Sequence, residues 1–268
     1  MEVISNAVED KLIDGLSYKL DNTASYITER NSSTFWAVGS NEYSPTGVRV
    51  VKLLINGDGW LDPSTAKVQF DLVNKDAKSL RTISGGWSFF RRLRILCNGA
   101  LIEDIDAYNL VHEMFCDLQA RHFQENINVE NFGISYDSIY GKTLIQTPTS
   151  GTSGTNTLFK YHYVGVAASD TRTVAFTLLS GILNQPKFFP LRYCPLTIEL
   201  EVCNNLYDPI ISPQYPGWSD TNALSITPAD TSSNWQIQNV QIKCDVCKMD
   251  NQLENAFAQR FYQAKLFQ

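Results

Sequence analysis

Asn98-Gly99 stands between two largely apolar runs, and it restricts the fold more sharply than any other dipeptide in the chain. Both residues accept the positive φ of a type I′ turn, whose twist matches that of paired strands. The dipeptide therefore predicts an antiparallel hairpin with a two-residue loop that fixes the register. Leu96 then faces Leu101, Ile95 faces Ile102, and Arg94 faces Glu103. The last pair is expected to form a cross-strand ion pair contributing up to about 1 kcal/mol. Period-two reading sets Trp87, Phe89, Leu93 and Ile95 on one face, with Phe90, Arg92, Arg94 and Leu96 on the other.

The same pattern of short extended runs between turn clusters repeats along the chain. Residues 33–38, 48–55, 66–73, 171–179, 196–203 and 235–246 all read as strands. The run 48–55 is apolar on both faces apart from Arg49 and Lys52, which predicts a strand buried on both sides. Asn56-Gly57-Asp58-Gly59 and Leu61-Asp62-Pro63 read as turns, since glycine tolerates positive φ and proline presets a bend. A helix is expected over 107–123, capped by Asp106, with Val111, Phe115, Leu118 and His122, flanked by Leu110 and Met114, packed onto the sheets. Residues 125–160 show no period, and the Thr/Ser/Gly-rich stretch 147–157 reads as a mobile excursion. Residues 207–233 read as a second long surface loop. A last helix, capped by Asp250, carries Leu253, Phe257, Phe261 and Ala264 as an apolar stripe.

These elements predict an all-β fold: an eight-stranded jelly-roll sandwich with one inserted helix and a C-terminal connecting helix. The expected organisation is an N-terminal arm at 1–30, the jelly-roll domain at 31–248, and a helical connector at 249–268. Composition agrees, with 43% hydrophobic and only 19% charged residues among 268. The net charge of −6 argues against binding through nucleic-acid phosphates, and the first 20 residues hold no polybasic arm. No signal-like start is visible, and no apolar run approaches the roughly 18 residues of a membrane span. That predicts folding in a reducing compartment, with the six cysteines as free and mostly buried thiols.

Catalytic chemistry finds little to use. The three histidines, His112, His122 and His162, include no His-x-His pair, and the first two lie on different faces of the expected helix. A cupin-type metal site needs a tighter cluster than that. Cys244-Asp245-Val246-Cys247 is a lone C-x-x-C in an apparent strand, so one thiol should face the core and one the outside. No Gly-x-Ser-x-Gly elbow occurs, and Gly85-Gly86-Trp87 lacks the sequel of a phosphate loop. The aromatic and basic residues from Trp87 to Arg94 could stack on bases, although a solvated strand face explains them more simply. No cofactor and no catalytic residue is expected. A lectin-like or receptor-binding sandwich is the alternative class, with Trp60, Trp218 and Trp235 as candidate sugar platforms.

Several segments together carry a resemblance. They are Trp60-Leu61-Asp62-Pro63 with the strand after it, and 83–105 with the following helix. Then come the proline-framed run 189–201 and the passage from Cys244 through Asp250 into the last helix. In this order they resemble the major capsid proteins of Polinton-like viruses, virophages and related double-jelly-roll viruses. The resemblance spans most of residues 60–266 and carries no catalytic residues. It implies a virion subunit with two jelly rolls, three copies of which form a pseudo-hexameric capsomer of an icosahedral shell. The implied partners are two further copies, neighbouring capsomers, and penton and minor capsid proteins, with no direct contact to nucleic acid. The residues 1–268 correspond to the first roll, so a fragment or truncation is expected. Arg94, Glu103, Leu253, Phe257 and Phe261 are then the expected structural and assembly residues, the stripe marking where the rest of the subunit attaches.

Overall fold

The computed structural model describes residues 27–78, 80, 82–120, 131–132, 144–148, 157–161, 166–210, 232 and 234–266; side chains are described in all of these except 144–148, 157–161 and 260–266. The strands are β1 (Ile27–Val38), β2 (Glu42–Tyr43), β3 (Val50–Ile55), β4 (Trp60–Asn74), β5 (Phe90–Cys97) and β6 (Ala100–Ile105). After a helix at Tyr108–Asp117 follow β7 (Leu144–Pro148), β8 (Thr157–Tyr161), β9 (Thr171–Thr177), β10 (Phe189–Pro190), β11 (Leu196–Val202) and β12 (Trp235–Met249). A second helix spans Asn251–Leu266. Ten strands join in the hydrogen-bonded order β10-β4-β12-β1-β3-β11-β5-β6, with β2 on β12 and β9 on β4. Two of the ten, β2 and β10, have only two residues each, which leaves eight full strands as expected.

The chain divides into two compact units, residues 31–246 and residues 1–30 with 247–268. The larger unit holds the core. Val51, Leu53 and Ile55 of β3, Leu93 and Ile95 of β5, and Leu196, Ile198 and Leu200 of β11 are all buried. So are Val68, Phe70 and Leu72 of β4, Val174 and Phe176 of β9, and Ile237, Val240 and Ile242 of β12. In the smaller unit Lys248 Nζ lies 2.6 Å from Glu29 Oε2, and Thr28 Oγ1 donates to the Lys248 carbonyl at 3.1 Å. Asp250 opens the second helix as expected, its carboxylate accepting from Gln252 N at 3.2 Å.

Several expectations are corrected. The strand β3 buries one face only: Val51, Leu53 and Ile55 point in while Val50, Lys52 and Leu54 are exposed. Leu61-Asp62-Pro63 is no turn but part of β4. The ladder to β10 ends at Leu61 and the ladder to β9 starts at Lys67, so Pro63, with no N–H to offer, falls in the gap between them. Trp87 and Phe89 belong to a 3₁₀ turn at Gly86–Phe89, and Phe90 starts the strand and is buried. Strands β7 and β8 pair with each other inside the stretch expected to lack structure, while 149–156 lies outside the described residues. Cys97 and Cys194 are not free; they form a disulfide with Cα atoms 5.5 Å apart.

The hairpin turn is as expected, with φ of 49° at Asn98 and 82° at Gly99, and Leu96 opposite Leu101. The register then slips between Ile95 and Leu96, so Ile95 faces Glu103 and Arg94 faces Asp104. Ile102 is the extra residue, a bulge that the turn alone could not announce.

The inserted helix also differs. It ends at Asp117, and its N-cap is Ala107 at φ 51°, with no side-chain cap. Asp106 instead sits 3.7 Å from Arg91. The inward residues are Tyr108, His112 and Cys116, while Leu110, Met114, Phe115 and Leu118 are exposed, Leu118 to 76%. What turns this face inward is the end of β9, where the backbone needs partners. The Tyr108 hydroxyl accepts from Leu179 N at 2.9 Å, and His112 Nε2 lies 3.1 Å from the Thr177 carbonyl. Apolar residues cannot meet those groups. His122 lies outside the described residues.

Candidate functional site

The outer face of the β3–β11–β5–β6 sheet carries the predicted charged residues in cross-strand rows. Arg94 is paired, but with Glu199 at 3.2 Å and not with Glu103. Glu199 is flanked on its other side by Lys52 at 3.7 Å, so one carboxylate bridges β3, β11 and β5. Arg92 makes a two-pronged contact to Asp104 at 2.8 and 2.6 Å, and this bond holds the Asp104 carboxyl below the usual carboxylate range. Arg49 binds Glu201 at 2.6 Å. Glu103 serves elsewhere, accepting from Ser180 Oγ at 2.5 Å and from Gly181 N at 2.7 Å and so tying β6 to the loop after β9. Each of these basic groups lies against a carboxylate, with Lys52 and Arg94 sharing Glu199, as on a charged strand face in solvent.

Of the predicted stripe, Leu253 is 39% exposed and Phe257 is half-buried. The Phe261 side chain lies outside the described residues.

The helix 108–117 brings together groups that the sequence reading did not connect. The Trp87 indole stacks on His112 with ring centroids 4.3 Å apart and planes 14° from parallel. Glu113 accepts from Trp87 Nε1 at 2.8 Å and also from the Ser84 hydroxyl. Cys116 Sγ lies 3.3 Å from His112 Nδ1, a thiol and an imidazole in hydrogen-bond contact. The spacing i, i+4 on one helix was the available signal. In a nucleophilic pair the thiol would be ionised by an imidazolium partner. Here burial pushes the thiol up to about 12 and pushes the imidazole below its ordinary 6.5. With Nε2–H donating to the Thr177 carbonyl, Nδ1 accepts from the thiol, and both groups are neutral. An imidazolium that would ionise the thiol is disfavoured by the same burial. A half-open cavity of about 110 Å³ lies beside the pair, lined by His112, Phe115, Cys116, Thr177 and Asn184.

A pH effect follows from that burial. The unfolded chain takes a proton on His112 near its ordinary pKa while the folded imidazole stays neutral. Its contribution is therefore full above that pH and is lost as the pH falls below it, until the folded group itself titrates. The unfolding free energy from urea titrations between about pH 7 and 5 should fall, by at most about 1.4 kcal/mol per pH unit from this group, and His112→Gln should flatten that share. An unchanged slope in the variant would show that His112 binds its proton alike in the folded and unfolded chain.

Among the described residues no group of three His, Cys, Asp or Glu side chains is placed to hold a metal ion. Cys244 and Cys247 are both buried, correcting the expectation of one outward thiol. Between them the inward step of β12 is three residues, and Asp245 N turns to Thr65 Oγ1 at 2.8 Å. Trp235 is a core residue whose Nε1 donates to the Leu206 carbonyl at 2.9 Å, and Trp218 lies outside the described residues. No described helix is long and apolar enough to cross a membrane.

No family model matches the chain, and no curated protein does. Solved structures do. A cryo-EM structure of the Sputnik virophage aligns at TM-score 0.50 and 10% identity, over 84% of this chain and 49% of that one. PBCV-1 VP54, fitted into a reconstruction of Sputnik, aligns at TM-score 0.47 and 13% identity, over 86% of this chain and 45% of that one. The mavirus major capsid protein gives TM-score 0.41 and 10% identity, over 81% and 46% of the two chains. The chain thus spans less than half the length of each of these structures. With its antiparallel ladders in the order given above and its likeness to the Sputnik chain, this protein has a jelly-roll fold.

Proposed function

We propose that the chain is a structural subunit of a viral shell, one jelly roll of a double-jelly-roll major capsid protein, and not an enzyme. The observation that carries this reading is the alignment of 84% of the chain with 49% of a chain from the Sputnik virophage, as a roll would align with a subunit made of two. The exposed apolar side chains Leu110, Met114 and Leu118, with Leu101 and Ile102 on the edge strand β6, support it. Apolar surface of this kind belongs at a contact with other protein. In this reading 31–248 is the roll and 249–268 leads toward a second one, with Leu253, Phe257 and Phe261 as its seat. Three subunits form a pseudo-hexameric capsomer, which meets neighbouring capsomers, pentons and minor proteins in the virion.

The test is sedimentation velocity with negative-stain imaging of the whole polypeptide that contains these residues. Trimers with a six-sided outline are expected. A monomer at every salt concentration and pH would overturn the proposal.

A further inference from the structure

The six cysteines fall into two classes. Cys116, Cys203, Cys244 and Cys247 are buried, and burial pushes the first three up to about 12, so they hold their protons at neutral pH. Cys97 and Cys194 are only half-buried, and it is they that meet. Their positions matter. Cys97 is the last residue of β5, and Cys194 lies in the segment that carries the chain from β10 to β11. Strand β10 pairs with β4, while β11 lies between β3 and β5, so residues 191–195 cross from one group of strands to the other. The bridge closes a span with a sequence separation of 97 across that crossing.

Hydrogen bonds that do not involve sulfur already hold the two sides together. Asn98 Nδ2 donates to the Tyr193 carbonyl at 3.0 Å, and Asn98 N donates to the Pro195 carbonyl at 3.2 Å. Leu191 N donates to the Gly59 carbonyl at 3.2 Å, and Cys194 N to the Pro190 carbonyl at 3.1 Å. The thiols are therefore brought into bonding range by the folded backbone. A bond set this way can close after folding and open without unfolding.

We propose that Cys97 and Cys194 form a redox-reversible staple that closes on the folded chain by exchange with a small-molecule disulfide of the glutathione class. The thiolate of one cysteine attacks a sulfur of that disulfide, forms a mixed disulfide and releases one small thiol. The second cysteine then attacks the mixed disulfide, forms the Cys97–Cys194 bond and releases the other small thiol. Two protein thiols are oxidised, one small disulfide is reduced to two thiols, and the two protons pass to the departing thiolates. Closing the bond pins the crossing segment to the end of β5. The inference is independent of the capsid reading.

The test uses the whole chain, reduced with dithiothreitol and then equilibrated in mixtures of reduced and oxidised glutathione. Native N-ethylmaleimide labelling and mass spectrometry read the outcome. The reduced, folded chain is expected to gain two labels, on Cys97 and Cys194, and the oxidised chain none. Limited proteolysis within 189–195 should run about tenfold faster on the reduced chain. Cys194→Ser should label once, at Cys97, and lose the redox dependence of cleavage. If the variant folds poorly, the reduced natural chain still provides the comparison. Equal labelling of the four buried thiols, a different pairing in the peptide map, or equal cleavage of the two redox forms would each overturn the proposal.

Discussion

Replacing Phe70 with alanine is expected to lower the free energy of unfolding by about 3–5 kcal/mol, near the upper limit for one side chain. The ring is fully buried in β4, and it meets three others edge-on: Phe89 at 6.3 Å, Phe90 at 5.6 Å and Phe176 at 6.3 Å. Those neighbours sit on the 3₁₀ turn, on β5 and on β9. Each is fixed by its own backbone, so the surrounding side chains have little freedom to collapse into the space left behind. Edge-to-face pairs add to the area term, because the positive ring edge meets a negative face. Urea denaturation gives the check, with Phe70→Leu as a milder companion that keeps most of the volume. A loss under about 1 kcal/mol for the alanine variant would mean that the site relaxes freely.

Asn74→Ala is expected to cost about 3 kcal/mol or more, although it removes few atoms. Asn74 is 1% exposed, and its amide donates to the Lys78 carbonyl at 2.7 Å and the Ala167 carbonyl at 2.9 Å. Its carbonyl accepts from Ser232 Oγ at 2.6 Å and from Asp76 N at 3.2 Å. One side chain thus joins the end of β4 to two distant segments. Alanine takes the acceptor from the buried Ser232 hydroxyl and the donor from the Lys78 carbonyl, and an unpaired buried group costs about 1–3 kcal/mol. Ser232→Ala, which removes only one of the Asn74 contacts, should cost clearly less. Equal losses in the two variants would show that the serine contact alone carries the effect.

How far the sequence could be read depended on whether the information was local. The type I′ turn at Asn98-Gly99 and the cap at Asp250 are set by residues next to each other, and both are found as expected. Strand positions such as 171–179 and 196–203 follow from alternation, which reports burial directly. The inner face of β3 was visible in the same way, but its outer face misled, because Val50 and Leu54 are apolar and exposed. The helix 108–117 failed for a different reason. Hydropathy ranks Leu110, Met114 and Leu118 above Tyr108 and His112, yet the backbone at the end of β9 selects the two residues that can hydrogen-bond to it. That demand arises about 70 residues away in sequence, and no local period contains it. The Cys97–Cys194 bond is similar: nothing in its spacing encodes the proximity that the crossing segment creates. Of the candidate assembly residues, Leu253 could be read as exposed from the helical stripe, whereas the partners of Arg94 and Glu103 depended on a bulge.

That bulge has a bearing on how chains of this kind are compared. Side chains in a strand alternate, so one additional residue exchanges inside for outside in everything beyond it. An alignment anchored on Asn98-Gly99 and extended without a gap would match every position past Ile102 to its neighbour's column in a relative lacking the extra residue. It would then score Glu103 against an outward charge and Asp104 against an inward one, and genuine kinship would be counted as mismatch. Placing a single gap opposite Ile102 restores the columns.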